Sequence, residues 1–430
     1  MARSASRFRL PPGFAALRER NYVLYVIGQF ISQTGSWIEM TAVAWIIYEM
    51  TDSPFLLGLN GLFRAGPMIL LALFGGAIAD RVHRRRLLLC TETTMLLTSL
   101  TMGILAATGN LQFWHLYVLN LVSGTLNAFS VPARQALFAG LVPRSSLQSA
   151  VTFNGIAVRS AGFIGPTIAG LALAYGGYSL PFLINAASFL GMLGALVAMQ
   201  IPPLEARADS RASIGSDMIE GVSFVWRNPL LKVALGLEIA SGLFGHNTTL
   251  VTIVARDLLG TGPEGLGLLL SAIGVGALCG MAAMVTFEIG RNGRLILTLG
   301  AVYAVLWATF ALSHWFWFSA ALLCALGVTD ALWGVTRNTL AQMLVPDALR
   351  GRVMSVVVLS VRGSSQLGRV QSGFLVGLLG APAAILVGSA VLASAVAASW
   401  RLVRQSKNVT LSLAKELDAE EKLTEEQIIS

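Results

Sequence analysis

Charge is what this chain has least of. Only 12% of its residues are Asp, Glu, Lys or Arg, against roughly 25% in soluble domains. With 55% hydrophobic residues and a mean hydropathy of +0.70, too little polar side chain remains to cover a water-facing surface, which excludes a soluble globular protein. Cysteine is scarce as well. Cys90, Cys279 and Cys324 sit singly in separate apolar runs, so they encode neither a disulfide framework nor a metal site and read as small core residues. The sequence has no Walker loop, no H-E-x-x-H and no G-x-S-x-G, which argues against ATP drive and against a membrane-embedded enzyme. It also lacks the sizeable polar domain that a transport-dead sensor or scaffold would carry.

Long apolar runs fill the space instead. Stretches of about 18 or more apolar residues mark membrane-crossing helices. Twelve are expected, near 22–48, 55–79, 87–108, 114–138, 148–174, 180–200, 230–255, 264–287, 295–312, 316–343, 353–376 and 383–402. The fold class is therefore an all-α membrane protein. The longest polar interruption divides six spans from six, giving bundles at 21–201 and 230–403, a linker at 202–229 and tails at 1–20 and 404–430. The last tail is acidic and reads as solvated helix or disordered chain.

The net charge of +8 follows topology rather than nucleic-acid binding. Arg81, Arg84, Arg85 and Arg86, then Arg207 and Arg211, then Arg291 and Arg294, then Arg350 and Arg352, fall on alternate loops; the opposite loops hold only Arg256. Lys and Arg collect on the cytoplasmic side, so both termini are expected there. Arg3, Arg7, Arg9, Arg18 and Arg20 precede a first span without a small-x-small site, which reads as an uncleaved start.

Half of the chain is written twice. A shift of 203 residues brings Arg134 onto Arg337, Leu141-Val142-Pro143 onto Leu344-Val345-Pro346, Arg159 onto Arg362, Asn127 onto Asp330, and Gly165, Gly170 and Gly177 onto Gly368, Gly373 and Gly380. A shift of 209 brings Leu57-Gly58-Leu59 onto Leu266-Gly267-Leu268 and Arg85 onto Arg294. A direct repeat in so apolar a chain predicts two pseudo-symmetric six-helix bundles facing each other across a path.

Two local strings carry mechanism. Between the second and third spans stand Gly75-Gly76-Ala77-Ile78-Ala79-Asp80-Arg81-Val82-His83-Arg84-Arg85-Arg86. Here Gly76 permits close helix approach, Asp80 can cap or pair, and the arginines anchor the loop at the interface. The fifth span holds Gly162-Phe163-Ile164-Gly165-Pro166-Thr167-Ile168-Ala169-Gly170, in which small residues share one face and Pro166 frees a carbonyl. The first string resembles the G-x-L-A-D-R-x-G-R-R signature of the major facilitator superfamily, with Ile78 for the leucine and His83 for the second glycine. The second is similar to the G-P-x-x-G-G fifth-helix motif of its drug-efflux members, with Ala169 for a glycine. Pro132-Ala133-Arg134-Gln135-Ala136, Gly28-Gln29-Phe30-Ile31-Ser32 and Gly35-Ser36-Trp37 add a likeness to the drug and siderophore efflux branch that includes bacterial enterobactin and macrolide exporters. The resemblance implies the major facilitator fold in a bacterial plasma (inner) membrane. It also implies a cytoplasmic gate around Gly76, Asp80, Arg81, Arg84 and Arg85, joined at that edge by Arg134 and Arg337, and a hinge at Gly162, Gly165, Pro166 and Gly170.

Charges inside the spans need an account. Arg64, Arg159, Arg362 and Arg369 lie within apolar runs, as do Glu39, Glu238, His246 and Asp330. Four lipid-facing arginines would cost on the order of 10 kcal/mol on insertion scales, so they must face an interior. Ser355, Arg362, Gln366, Arg369 and Gly373 recur as one helical stripe, as do Ser32, Ser36 and Glu39, and Glu238, Ser241, Gly242 and Gly245. Two readings stay open. Either the arginines pair with Glu39, Glu238 and Asp330 to fix packing, or they attract an anionic or zwitterionic solute while Glu39, Asp330 or His246 carries a proton. Arg134 and Arg337 are expected to snorkel at the cytoplasmic edge and Glu92 to be solvated.

The expectation is a monomeric secondary exporter of a small amphipathic solute, drug or siderophore-like, in the lipid bilayer. It needs no cofactor beyond a transmembrane proton gradient and uses antiport. An importer, a uniporter and a lipid flippase of the same fold are the alternatives.

Overall fold

The computed structural model describes residues 12–200, 214–286 and 293–400; within them the side chains of 12–14, 72–81, 139, 144, 214–219, 285, 286, 293, 347, 348, 350 and 362 lie outside the description. Among the described residues every regular element is a helix. The first bundle contains α1 (Arg20–Thr51), α2 (Pro54–Arg81), α3 (Arg84–Ala107), α4 (Phe113–Ala139), α5 (Leu147–Gly176) and α6 (Ser179–Ala198). There follow α7 (Ile214–Arg227), α8 (Pro229–Phe244), α9 (Thr248–Ile253), α10 (Pro263–Thr286), α11 (Gly293–Ala311), α12 (Phe316–Leu344), α13 (Asp347–Leu379) and α14 (Ala381–Trp400).

Nine of these helices are long and apolar enough to cross a membrane on length and composition alone. The remaining three passes are α1, α13 and the pair α8–α9. α1 and α13 carry many polar residues along their length, and the break in the seventh span leaves α8 and α9 at 16 and 6 residues, each too short to qualify alone.

Local chemistry sets the boundaries. Asp52 takes a left-handed φ of 48° and ends α1, and Pro54 opens α2 two residues later, a position where a missing N–H costs nothing. Asn228 caps α8, its Oδ1 accepting from Leu230 N (3.1 Å) and Leu231 N (3.2 Å) ahead of Pro229. Gly177 and Gly380, the last matched pair of the repeat, end α5 and α13 with φ of 61° and 79°. Only glycine enters that region without strain.

Two expectations are corrected, a continuous seventh span and cysteines in the core. The seventh span is not continuous. α8 stops at Phe244, and the chain resumes as α9 at Thr248 and winds into a π-turn at Val254–Leu258. Asn247 forces the restart, its Oδ1 accepting from Leu250 N at 3.0 Å. The polar stretch between the bundles is partly helical: α7 lays Val225 and Phe224 against Val353, Val356 and Val357 of α13, and Glu220 ion-pairs with Arg352. Cys90 and Cys279 are exposed rather than in the core, on apolar helices whose outer faces meet lipid.

Packing obeys the repeat. α2 packs on α4 as α10 packs on α12, α1 on α5 as α8 on α13, and α3 on α4 as α11 on α12. The bundles meet through α2 with α13 and α5 with α10, again symmetry-related pairs. At their centres glycine faces glycine. A Cβ on Gly58 would stand 2.6 Å from Arg369 O and 3.1 Å from Gly373 Cα; one on Gly170 would stand 2.5 Å from Pro263 O and 3.2 Å from Gly267 Cα. The positions matched by the repeat are thus the ones in contact across the seam, where small residues let backbones approach.

Candidate functional site

Call proximal the end carrying the start of α1 and the finish of α14, and distal the opposite end. Along all four seam helices the glycine contacts lie toward the distal end. A clasp closes that end further. Arg256, on the π-turn, ion-pairs with Asp52, donates from Nη1 to Tyr48 O at 2.8 Å, and stacks 4.6 Å over the Tyr48 ring. Tyr48 in turn donates its hydroxyl to Asp257. The two bundles are therefore tied distally by both packing and charge.

On the proximal side of the glycine contacts they separate around two chambers of about 790 Å3 and 590 Å3 that share Trp37. Arg64 lines the larger chamber with Gln366, Ser355 and Asn127; Arg159 and Arg369 line the smaller with His246 and Asn247. Neither lining contains an Asp or Glu. The remaining walls are uncharged and mixed, with Met68, Leu359, Leu270 and Ile273 beside Gln33, Gln135, Asn154 and Thr248.

The carboxylates are held elsewhere. Glu39 is enclosed in the first bundle, accepting from Ser99 Oγ at 2.9 Å and Asn185 Nδ2 at 2.6 Å, with the charge of Arg64 near enough to attract it. Glu238 ion-pairs with Arg337, and Glu92 with Arg134. Arg134 also donates to Gln29 Oε1 at 3.1 Å. Glu92 is fully buried and Arg337 is only 8% exposed. The expected snorkelling of Arg134 and Arg337 and the solvated Glu92 are thereby corrected: neighbouring helices cover these groups, and each arginine has an internal acid that removes any need to reach water. The pairing alternative for the mid-depth arginines resolves unevenly. No described carboxylate lies within ion-pair distance of Arg64, Arg159 or Arg369.

The break in the seventh span brings backbone and titratable groups to the smaller chamber. Tyr303 OH accepts from His246 N at 2.9 Å and lies 2.5 Å from His246 Nδ1, while Trp307 Nε1 donates to Phe244 O at 3.2 Å. Asn247 Nδ2 reaches Ser372 Oγ on α13 at 2.9 Å. Asp330 on α12 is exposed, and its charge acts on His246, Tyr303 and Glu238. Broken helices are tolerated at membrane depth where they line a cavity, and such breaks place polar groups at transport sites.

A sequence model described as Transmembrane secretion effector, within the major facilitator superfamily, matches residues 12–427. The chain belongs to that family. It is a membrane transporter of the secondary type, not an enzyme. It is 25% identical over 386 residues to the uncharacterized MFS-type transporter YfiS of Bacillus subtilis, covering 86% of this chain and 90% of that one. It is 26% identical over 335 residues to the enterobactin exporter EntS of Shigella boydii, covering 76% and 78%. Among solved structures, the nucleoside transporter NupG superposes with a TM-score of 0.69 at 13% identity, covering 89% of this chain and 99% of that one. A D-xylose-proton symporter superposes at 0.66 and 16% identity, covering 92% and 98%. At such identities these two structures attest the fold alone.

Within the family fold, the expected site residues scatter into three groups. Arg64, Arg159, Gln366, Arg369 and His246 converge on the chambers, whereas Glu39, Glu238, Arg134 and Arg337 tie helices within one bundle. Arg84 and Arg85 open α3 and donate to Ala136 O (3.4 Å) and Val197 O (2.9 Å), near the last carbonyls of α4 and α6, a favourable place for cations. Gly76, Asp80 and Arg81 have helical backbone, but their side chains, like that of Arg362, lie outside the described residues, as do Arg291 and the acidic tail.

The fifth-helix string faces two ways. Gly165 leaves room for Trp37 of α1, while Phe163, Thr167 and Gly170 meet α10, where Ser271 Oγ donates to Phe163 O at 2.6 Å. Sequence reasoning missed Tyr303, Asn247 and the clasp. The Gly245-His246-Asn247 string, a terminator followed by a strong cap, was the available signal for the break.

Proposed function

We propose that this transporter exports a small amphipathic organic solute from the bacterial cytoplasm by alternating access, in exchange for protons. The observation that carries the reading is a chamber between the bundles, sealed at the distal end and lined by His246, which is hydrogen-bonded to Tyr303 and feels the charge of Asp330. The distribution of Lys and Arg sets the proximal end in the cytoplasm, so this conformation receives solute from inside. The similarity to an enterobactin exporter favours outward movement.

In this scheme a proton reaching Asp330 or His246 from outside changes the charge beside the broken span and so the relative stability of the two access states. Glu39 supports the first bundle. Arg134 and Arg337 brace the proximal gate from within each bundle, and Gly162, Gly165, Pro166 and Gly170 form the flexing face of α5.

Inverted membrane vesicles with an acidified lumen test this. A panel of fluorescent amphiphiles should include dyes that accumulate only in vesicles holding the protein, with uptake falling at least about tenfold when a protonophore collapses the gradient, the loss expected when a proton no longer biases the two states. Equal uptake with and without the gradient would contradict antiport. Loss of preloaded dye driven by luminal acid would contradict export.

A further inference from the structure

The three arginines at the chambers are the least explained charges in the molecule. Each sits at membrane depth, where charge is expensive, and none has a described carboxylate within ion-pair reach; Arg64 feels only the more distant charge of Glu39. Two of them oppose each other across the seam. The Arg369 stem of α13 lies against Gly61 of α2, whose added Cβ would stand 3.1 Å from its Cδ, and Arg64 follows one turn along α2. Their like charges act on one another.

Hydrogen-bonding capacity is left open at the same place. Arg369 Nε, Trp37 Nε1 and Gln366 Oε1 are buried without a protein partner, although buried polar atoms nearly always have one. Arg369 Nη2 finds only the Met40 sulfur, at 4.0 Å. Donors from α1, α2 and α13 thus meet where the two chambers adjoin at Trp37, with Gln366 Oε1 an unpaired acceptor beside them and neutral side chains making up the remaining walls.

We propose that this seam is an oxyanion site for the cargo. A carboxylate or sulfonate group is gripped from one bundle by Arg64 and from the other by Arg369, its apolar or aromatic body lies along Trp37, and Arg159 is the outlying third cation. Guanidinium groups suit planar oxyanions through paired donors. An anion between Arg64 and Arg369 also removes the repulsion that opposes approach of α2 and α13. The loaded transporter can then close its proximal chamber more readily than the empty one. The inference rests on the transporter reading but names the charge of the cargo, which that reading leaves open.

The test uses two dyes of one xanthene skeleton and opposite charge, fluorescein as anion and rhodamine 123 as cation, with the full chain in phosphatidylcholine nanodiscs. Fluorescein should bind at least about tenfold more tightly than rhodamine 123. Arg64→Gln and Arg369→Gln should each weaken it by about tenfold, in line with the loss of a charge-assisted hydrogen bond. Arg369→Lys should recover part of the loss, and unchanged melting temperatures would separate these effects from misfolding. The site is wrong if rhodamine 123 binds as well as fluorescein, if neither dye binds, or if both glutamine variants bind fluorescein like the parent. Displacement of fluorescein by added phosphatidylglycerol, but not by 1-naphthoate, would give the site to a lipid headgroup and overturn a cargo role. Because binding is read without a gradient, selective fluorescein binding with no proton-driven flux would retain the site and remove the export reading. Driven flux of rhodamine 123 alone would do the reverse.

Discussion

Replacing Glu92 with alanine is expected to destabilise the protein by about 3–5 kcal/mol, the usual consequence of leaving one member of a buried ion pair behind. Glu92 is fully buried on α3, and its partner Arg134 projects from α4 with Gln29 of α1 as its other acceptor. Removing the carboxylate leaves the guanidinium a single neutral acceptor among Leu88, Ala133 and Leu137, which line the same core. The cost is in the unpaired charge rather than in the pair itself. The double variant Glu92→Leu with Arg134→Met should therefore recover most of the stability. Unfolding of the purified full chain in a detergent titration measures both. A loss for Glu92→Ala within about 0.5 kcal/mol, typical of a surface site, would show that Arg134 reaches water after all.

Asp330→Asn should lower gradient-driven flux by at least about tenfold while sparing exchange of labelled solute in the absence of a gradient, because a step that needs the proton loses its bias but not its path. The position has what such a role requires. Its carboxylate is exposed on α12 while its charge reaches His246, Tyr303 and Glu238. The hydrogen bond between Tyr303 and His246 then connects it with the break in the seventh span. Counterflow in vesicles distinguishes the outcomes. Equal loss of driven flux and exchange would assign Asp330 to packing, and full activity in both would remove it from the coupling path.

Much of the architecture is legible in the residues because duplication leaves periodic marks. The glycines that align between the halves are the ones that touch: Gly58 against Gly373, and Gly170 against Gly267. The α13 stripe likewise turns inward, Ser355 and Gln366 to one chamber, Arg369 to the other and Gly373 to the seam. Burial of Arg134 and Arg337 is not legible, since depth along a span says nothing about which neighbour covers a side chain. The repeat misleads here as well. The acid that answers the arginine comes from α3 in one half, as Glu92, and from α8 in the other, as Glu238. Gln29, which a shift of 209 lays on Glu238, keeps only a hydrogen bond to Arg134. The clasp was hidden for a similar reason. Arg256 looks like a stray loop cation until the π-turn carries it over to Tyr48 and Asp52.

Alternating access itself is tested most directly by paired spin labels read at both ends of one molecule type. Tyr175 with Glu264 reports the distal end and Gln148 with Met343 the proximal end; all four side chains are exposed and each pair joins the two bundles. The distal pair should be close when the proximal pair is far apart. On acidifying the medium or adding solute, the populations should shift in opposite directions. Distances that widen together, or that stay single and fixed at both ends under every condition, would contradict two bodies rocking about a central chamber.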